Sequence, residues 1–599
     1  MDTIPRSDIK KELLRSFKFL VFSCTAGVIQ VLSFTLLHEL ADLPYWPAYL
    51  AALLLSVLYN FTINRRFTFR SAANVPLTMG LVLGYYALFT PLSTWGGDAL
   101  THAGWNEYLV LAVTMVLNFV TEFLFCRFVV YRNNVDNRET GQAPARPRPR
   151  QPEREKEYGE KLARMVRIPT LSREPGEDMT EFFRLQALLE ELFPRFHHLA
   201  EKRVCQGSLV YRWKGKEPGP GVMVMAHQDV VPVPDEGWIV PPFSGEIREG
   251  LLYGRGALDC KATLFSLLQA LEELAAEGFS PVRDIWVTSS CNEETSTAGA
   301  FAVAELLRRQ GVTLDWVLDE GGSVTTDGFP GLRRPMAMIG IMEKGFMNVE
   351  IAAAGKGGHS SRPSKGSPIP RLAAFISRME RRGPLGWKLT PEVAELLKAV
   401  APDMPLPARL VFSNLWFFRP LLPRLLPRMS GAGNALIRTT CAFTMAEGSP
   451  AANVLPQRAW VTANLRNLSC QSPERVMEIL RKTARGLDLT CVCTFGHGAT
   501  PPTPTDGAPY RRVAEVFREI FPDAGTVPSI MLGGTDSRAF VPLTRHILRV
   551  CPLRVTPEQQ ACCHAANENI SLSSLPECVD FYKALLRDPG CAPVAEAGK

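Results

Sequence analysis

The chain sets histidines and carboxylates where a metal-assisted hydrolysis would need them. His227 and Asp229, in His227-Gln228-Asp229, close an apolar run. Asp259 ends Gly254-Arg255-Gly256-Ala257-Leu258-Asp259, Glu293 and Glu294 follow Asn292, Asp319 and Glu320 precede Gly321-Gly322, and His564 comes late. Zinc and similar divalent cations take imidazole nitrogen and carboxylate oxygen, and a two-metal site needs a carboxylate able to bridge. Each residue alone has a plainer reading. Asp259 suits the N-cap of a following helix, the Glu293-Glu294 pair suits solvated charge, and His359 suits a loop. Their joint order along the chain favours chemistry.

The elements that must position these residues follow from apolar periodicity. Helical spacing over residues 155–166 and 179–192 gives way to a strand over 222–226, a helix over 262–277, a strand over 284–290, a helix over 298–310 and a strand over 315–318. This βαβα order predicts a mainly parallel sheet with helices on both faces. Ligands collect at the carboxyl ends of such strands, where His227, Asp229, Glu293, Glu294, Asp319 and Glu320 fall.

The order H-x-D, G-R-G-x-x-D, N-E-E, D-E-G-G, G-G-H-S, G-G-T-D-S and a final histidine resembles the carboxypeptidase S, aminoacylase and glutamate carboxypeptidase family of co-catalytic zinc metallopeptidases over about residues 155–590. The carboxypeptidase S branch is nearest, through Asp319-Glu320-Gly321-Gly322 and Gly533-Gly534-Thr535-Asp536-Ser537-Arg538. The resemblance implies two Zn2+, with Mn2+ or Co2+ as substitutes. His227 and Asp319 would hold one, Glu294 and His564 the other, and Asp259 would bridge them. Asp229 would orient His227 through its other ring nitrogen. Adjacent carboxylates cannot both ligate from one strand end without one turning toward the substrate, so Glu293, the first of the pair, is the expected general base.

The family also carries a smaller α/β lid, expected over residues 345–495 with a ferredoxin-like arrangement and beginning with an alternating strand over 347–353. Its His359, in Gly357-Gly358-His359-Ser360-Ser361, would stabilise the oxyanion, often in the partner subunit of a homodimer. Asn453 and Arg466 match substrate-contacting lid positions, and an arginine suits a free carboxylate. Arg466 equally fits an ordinary strand end. The final motif departs from the family at Ala565, where relatives usually have glycine. Residues 410–429 are unusually apolar for a lid, which fits a packed helix, a membrane contact or an acyl-binding groove.

The first 135 residues differ in kind. Apolar stretches over residues 17–37, 46–63, 77–95 and 108–130 are each near the roughly 20 residues that a bilayer core requires and predict an all-α four-helix transmembrane domain. Arg6, Lys10, Lys11 and Arg15 precede the first stretch with Lys18 at its start, Arg65, Arg66 and Arg70 follow the second, and Arg127 stands at the end of the fourth with Arg132 and Arg138 after it. The remaining short loops, residues 38–45 and 96–107, lack Lys and Arg. By the positive-inside rule both termini and the soluble part lie in the cytoplasm, and Trp46, Trp95 and Trp105 belt the opposite interface. Asn60-Phe61 before Arg65-Arg66-Phe67 and Asn118-Phe119 before Arg127-Phe128 suggest a duplicated helix pair. At these residues the segment resembles the GtrA-like family of small four-span proteins, implicated in moving polyprenyl-linked sugars. Asn60, Asn118 and Glu122 then either hydrogen-bond between helices or line a route.

The boundaries expected are residues 1–135 for the membrane domain, 136–154 for a Pro/Arg-rich solvated linker, 155–344 and 496–590 for the two parts of the catalytic domain, 345–495 for the lid and dimerisation domain, and 591–599 for a tail. The 14 cysteines show no disulfide framework, in keeping with a reducing compartment, and Cys562-Cys563 reads as packing rather than a metal or redox pair. The net charge of +6 is largely juxtamembrane and predicts no nucleic-acid partner. The leading function is a membrane-anchored amidohydrolase acting on small peptides or N-acyl amino acids with a free carboxylate. The alternative is a flippase-like transport protein for polyprenyl-linked sugars with a soluble ligand- or partner-binding domain.

Overall fold

The computed structural model describes residues 6–41, 43–69, 75–132, 146–174, 176–234, 236–325, 331–363 and 365–590. Arg70, Arg138, most of the linker and the tail 591–599 lie outside the described residues. The chain divides into two compact units, Met1–Ala143 and Pro144–Lys599.

The first unit is built from helices Arg6–Thr35, Tyr45–Ile63, Val75–His102 and Glu107–Phe125, which coincide with the four apolar stretches. Among the described residues one helix, Arg15–Glu39, is long and apolar enough to cross a membrane, with a mean hydropathy of 2.0. Leu54–Ile63 and Leu77–Ser93 are shorter apolar helices. The second and fourth helices both run into a five-residue π-helical turn, Asn64–Thr68 and Cys126–Val130, beside the repeated Asn-Phe and Arg-Phe positions. The polar groups bond to one another. Asn64 donates to Asn60 at 2.7 Å and Thr68 to Asn64 at 2.7 Å, while Tyr85 donates to Asn118 at 3.1 Å. Satisfying polar atoms inside the bundle removes the cost of burying them in hydrocarbon.

The second unit centres on an eight-stranded sheet. Its order is Glu201–Cys205, Ser208–Trp213, Ile285–Ser289, Gly221–Met225, Leu314–Thr325, Ile547–Arg554, Met336–Glu343 and Gly525–Met531. Gly221–Met225 lies parallel to both Ile285–Ser289 and Leu314–Thr325, and Ile547–Arg554 is parallel to Leu314–Thr325. Strands Gly221–Met225 and Ile285–Ser289 are buried throughout, as a sheet covered on both faces requires. Helix Lys261–Ala276 packs along one face and Ala298–Arg309 belongs to a separate cluster on the other, with Val303 and Leu307 against Trp286 and Val317.

A second, four-stranded antiparallel sheet has the order Thr440–Glu447, Arg458–Asn467, Gly345–Ala354, Thr490–His497. Helices Pro368–Arg382 and Pro473–Thr483 cover it through Leu372, Phe375, Val476 and Leu480. Strand, helix, two strands, helix and strand in this order is the ferredoxin-like arrangement. The interval 345–495 is not packed as one body, however. Val393, Leu397, Phe412, Leu422 and Leu426 join the larger core with the main sheet.

The end of the linker is also less solvated than its composition predicts. Arg148 and Arg154 pair with Asp580 at 3.3 and 2.8 Å, and Arg150 pairs with Glu155, so the chain entering helix Pro152–Val166 is pinned by charge.

Candidate active site

Three parallel strands deliver the candidate donors. His227 and Asp229 leave the end of Gly221–Met225, Glu293 and Glu294 follow Ile285–Ser289, and Asp319 and Glu320 lie within Leu314–Thr325. That last strand bends at Gly321, whose φ of +152° and backbone approach to Arg549 leave no room for a Cβ; an ideal one would sit 2.9 Å from Arg549 Cβ. Asp259 stands just before helix Lys261–Ala276, and the cap position is Cys260 without a side-chain bond, so the N-cap reading of Asp259 fails.

The carboxylate of Asp259 sits between two imidazoles. Its Oδ1 is 3.0 Å from His227 Nε2 and its Oδ2 is 3.1 Å from His564 Nε2. His564 Nε2 is also 3.1 Å from Glu294 Oε1. His564 has a φ of +60°, which turns its ring inward, whereas Ala565 is outside the left-handed region, so alanine fits there without strain.

His227 Nδ1 faces the Asp229 carbonyl at 3.0 Å and the Asp229 carboxylate at 3.4 Å. That carboxylate in turn accepts from the backbone N–H groups of Glu293 and Glu294 at 3.3 and 3.1 Å, fixing the turn that carries both.

Asp319 and Glu320 separate. Glu320 Oε2 lies 3.4 Å from His227 Nε2, whereas Asp319 accepts from the Ser537 and Glu320 backbone N–H groups at 2.9 and 2.8 Å. The structure therefore turns Glu320, not Asp319, toward His227. Strand alternation sends neighbouring side chains to opposite faces, and the sequence motif alone does not say which faces the histidine. Cys563, read as a packing residue, also approaches: its Sγ is 3.3 Å from Asp259 Oδ2.

Donor atoms within 4.8 Å of one another form three overlapping sets: His227, Asp259, Cys260 and Glu320; Asp259, Cys563 and His564; and His227, Glu293 and Glu294. Carboxylates outnumber imidazoles here, and the donors range from buried His227 to half-exposed His564. Burial pushes the Glu293 carboxyl well above its usual range, with the Glu320 charge adding to it, and burial lifts Glu320 to about 7. Hydrogen bonds to Asp259 and Glu294 raise the His564 imidazole to about 10. Burial presses His227 down, yet the groups around it, Cys260 and Glu320 foremost, outweigh this and hold it well above its ordinary value. A cluster with this excess of carboxylate oxygen calls for cations, and its mixed imidazole and carboxylate donors fit borderline divalent metals.

Sequence reasoning passed over Glu568. It is fully buried, accepts from the N–H groups of Gly256, Leu258 and Asp259 at 3.1, 2.9 and 3.0 Å, and pairs with Arg255 at 2.6 Å. It thereby sets the loop that aims Asp259. In the sequence it stands out only as an acidic residue four positions after His564. A second buried support, Glu343, pairs with Arg549 at 2.6 Å and accepts from Thr535 at 3.0 Å, anchoring the Gly533-to-Ser537 turn.

The cluster opens into a cavity of about 1110 Å³. Asp259, Glu293, Glu294, Glu320 and His564 line one part; Phe301, Phe346, Phe495, Met531 and Val555 give apolar wall; Arg466, Arg538 and His497 give a polar rim. Arg466 lies 4.6 Å over the Phe346 ring, and only burial perturbs it, with no carboxylate of the described residues acting on it. Arg538 is 3.8 Å from Glu343. Two expected residues are elsewhere. His359 and Asn453 are exposed and do not line this cavity, His359 bonding to Ser361 at 2.8 Å and the Asn453 carbonyl accepting from the Ser360 N–H.

Imidazoles and carboxylates gathered at the carboxyl ends of parallel strands, beside a half-apolar cavity, define a metallohydrolase. Residues 223–588 match the family described as Peptidase family M20/M25/M40, and the chain belongs to it. Residues 18–131 match the family described as GtrA/DPMS, transmembrane domain, which marks a membrane protein. The chain is 33% identical over 437 residues to the human N-fatty-acyl-amino acid synthase/hydrolase PM20D1, covering 72% of this chain and 87% of that protein. It is 28% identical over 479 residues to carboxypeptidase S of Saccharomyces cerevisiae, covering 69% and 81%. In fold it is similar to the M20 family metallo-carboxypeptidase Sso-CP2 from Sulfolobus solfataricus, with a TM-score of 0.53 and 20% identity over 72% of this chain and 98% of that one.

Proposed function

We propose that this hydrolase cleaves the amide bond of N-acyl amino acids or small peptides with a free carboxylate, using a pair of divalent cations, zinc first among them. The observation that carries the reading is Asp259, whose two oxygens each face a different histidine. His227 and Glu320 would complete one site and Glu294 with His564 the other. Asp319 would steady Glu320 and the Ser537 turn.

Cations held by these residues would supply Lewis acidity, lowering the pKa of a water toward neutrality and polarising the scissile carbonyl. Glu293 lies in the cavity wall among these donors. It takes the proton of the attacking water and later gives it to the leaving amide nitrogen, the two-way role of a buried carboxylate with a raised pKa. Arg466, stacked on Phe346 and without an anionic partner among the described residues, binds the free carboxylate of the substrate, and the apolar wall takes the acyl or side-chain portion. The relative named for N-fatty-acyl-amino acids and the one named carboxypeptidase both fit a substrate of this form.

His359 serves the oxyanion from a second copy of the chain. Its exposure, away from the cavity of its own subunit, supports that arrangement. Four spans with both termini and the catalytic unit on the cytoplasmic side follow from the flanking arginines and lysines. Hydrolysis of N-acyl amino acids by the full chain in lipid, lost on chelation and restored by zinc, tests the reading. Turnover that survives complete metal removal refutes it.

A further inference from the structure

The segment from Met404 to Arg438 has two faces of different character. Phe412, Leu415, Leu422 and Leu426 point into the main core and are almost fully buried. Around these buried positions Trp416 is 68% exposed, Phe417 61% and Leu406 63%, and Leu410 and Leu421 are exposed as well. Trp416 and Phe417 stand edge to face, with ring centroids 5.6 Å apart. Five exposed large apolar side chains within sixteen consecutive residues, Leu406 to Leu421, are uncommon on a protein that meets only water.

The charge of the segment has a single sign. Residues 404–438 contain five arginines and no aspartate or glutamate. Arg419, Arg424 and Arg428 are exposed, while Arg409 is tied back to the Pro402 carbonyl. Exposed aromatic and leucine side chains interleaved with unneutralised arginines match the layered chemistry of a bilayer surface. Tryptophan favours the headgroup level, aliphatic groups enter the acyl boundary, and guanidinium groups meet lipid phosphates.

The covalent arrangement keeps such a surface available. Only residues 133–145 lie between the last described residue of the membrane unit and the start of the described second unit, an extended reach of at most about 50 Å. A tether of that length raises the local concentration of the bilayer enough for a modest patch to stay engaged.

We propose that the 404–428 segment docks the catalytic unit on the anionic surface of the membrane that anchors the chain. The partner is the lipid headgroup layer, recognised by the exposed arginines and entered by Trp416, Phe417 and Leu406. Docking there would set the enzyme against a phase in which long-chain N-acyl amino acids concentrate. The surface itself does not depend on the proposed chemistry.

Hydrogen–deuterium exchange of the full chain, one copy per lipid nanodisc, tests this directly. Peptides spanning residues 404–430 should exchange several-fold more slowly in nanodiscs containing phosphatidylglycerol than in pure phosphatidylcholine, with high salt reversing the difference. The paired variant Trp416→Ser/Phe417→Ser, which removes only exposed rings, should abolish that protection while leaving hydrolysis of a short, water-soluble substrate in detergent unchanged. Replacing Arg419, Arg424 and Arg428 by Gln should remove most of the protection, since each charge is worth about fivefold in binding. Exchange indifferent to lipid charge overturns the proposal. So does protection that appears only when two copies associate, which would assign the face to a second chain. Because exchange is read without turnover, failure here and failure of the hydrolase reading are separate results.

Discussion

His564 Nε2 lies 3.1 Å from Asp259 Oδ2, across 305 residues of sequence. A short helix, Pro557–Ala561, and a left-handed turn at His564 deliver the imidazole from one side, and the Glu568-braced loop delivers the carboxylate from the other. With His227 on the opposite oxygen, Asp259 faces an imidazole from each side. The consequences can be measured one at a time.

Glu293→Gln removes the proton carrier and keeps the shape. It should lower kcat by about 10²–10⁴-fold, the usual worth of general acid–base catalysis, with zinc content by elemental analysis unchanged. Retained turnover would assign the base elsewhere.

Metal binding should be coupled to proton release. Hydrogen bonds to Asp259 and Glu294 hold the His564 imidazole at about 10, so it is protonated at neutral pH until a cation displaces the proton. Apparent zinc affinity should therefore rise with pH up to about 10, and calorimetric titration in buffers of different ionisation enthalpy should show protons leaving. Affinity that is flat across this range contradicts the assignment of His564 as a ligand.

Arg466→Ala should raise KM for substrates with a free carboxylate by about ten- to a hundredfold, the worth of a charge-assisted bond. It should do little to their methyl esters. Equal loss on both substrates would make Arg466 a structural residue.

Much of the fold was readable from the residues. The buried run before His227, the helix after Asp259 and the strand before Glu293 were each found within a residue or two of their observed bounds, because apolar periodicity and glycine turns mark them. The pairing of acids was less legible. Asp319 and Glu320 are chemically alike and adjacent, and only the bend at Gly321 with the Ser537 N–H decides which one meets His227. Glu568 was equally hidden, since a buried carboxylate that braces a loop from 309 residues away leaves no local pattern. The region 391–437 looked like lid from its position in the chain, yet Leu396, Leu397, Leu415, Leu422 and Leu426 pack into the main core, a choice set by tertiary contact.

The bracing role has a measurable cost. Glu568→Ala strips the acceptor from three backbone N–H groups and leaves Arg255 buried without its partner, a loss on the order of 3–5 kcal/mol. Thermal unfolding should shift down sharply, and zinc retention should fall with it because Asp259 loses its aim. A variant as stable as the parent would show that the loop is held by other means.

If His359 acts in a partner subunit, two inactive variants should rescue each other. Mixing His359→Ala with Glu293→Gln and allowing subunits to exchange should restore about a quarter of parental activity, since half the dimers then contain one intact site. No recovery, with exchange demonstrated, places His359 outside the reaction.

The central claim is that one aspartate joins two cations. Anomalous scattering from crystals of the zinc-loaded full chain tests it most directly. The account predicts two peaks about 3.5–4 Å apart, one beside His227 and one beside His564, with Asp259 touching both. A single peak, or two peaks that do not share Asp259, would contradict it.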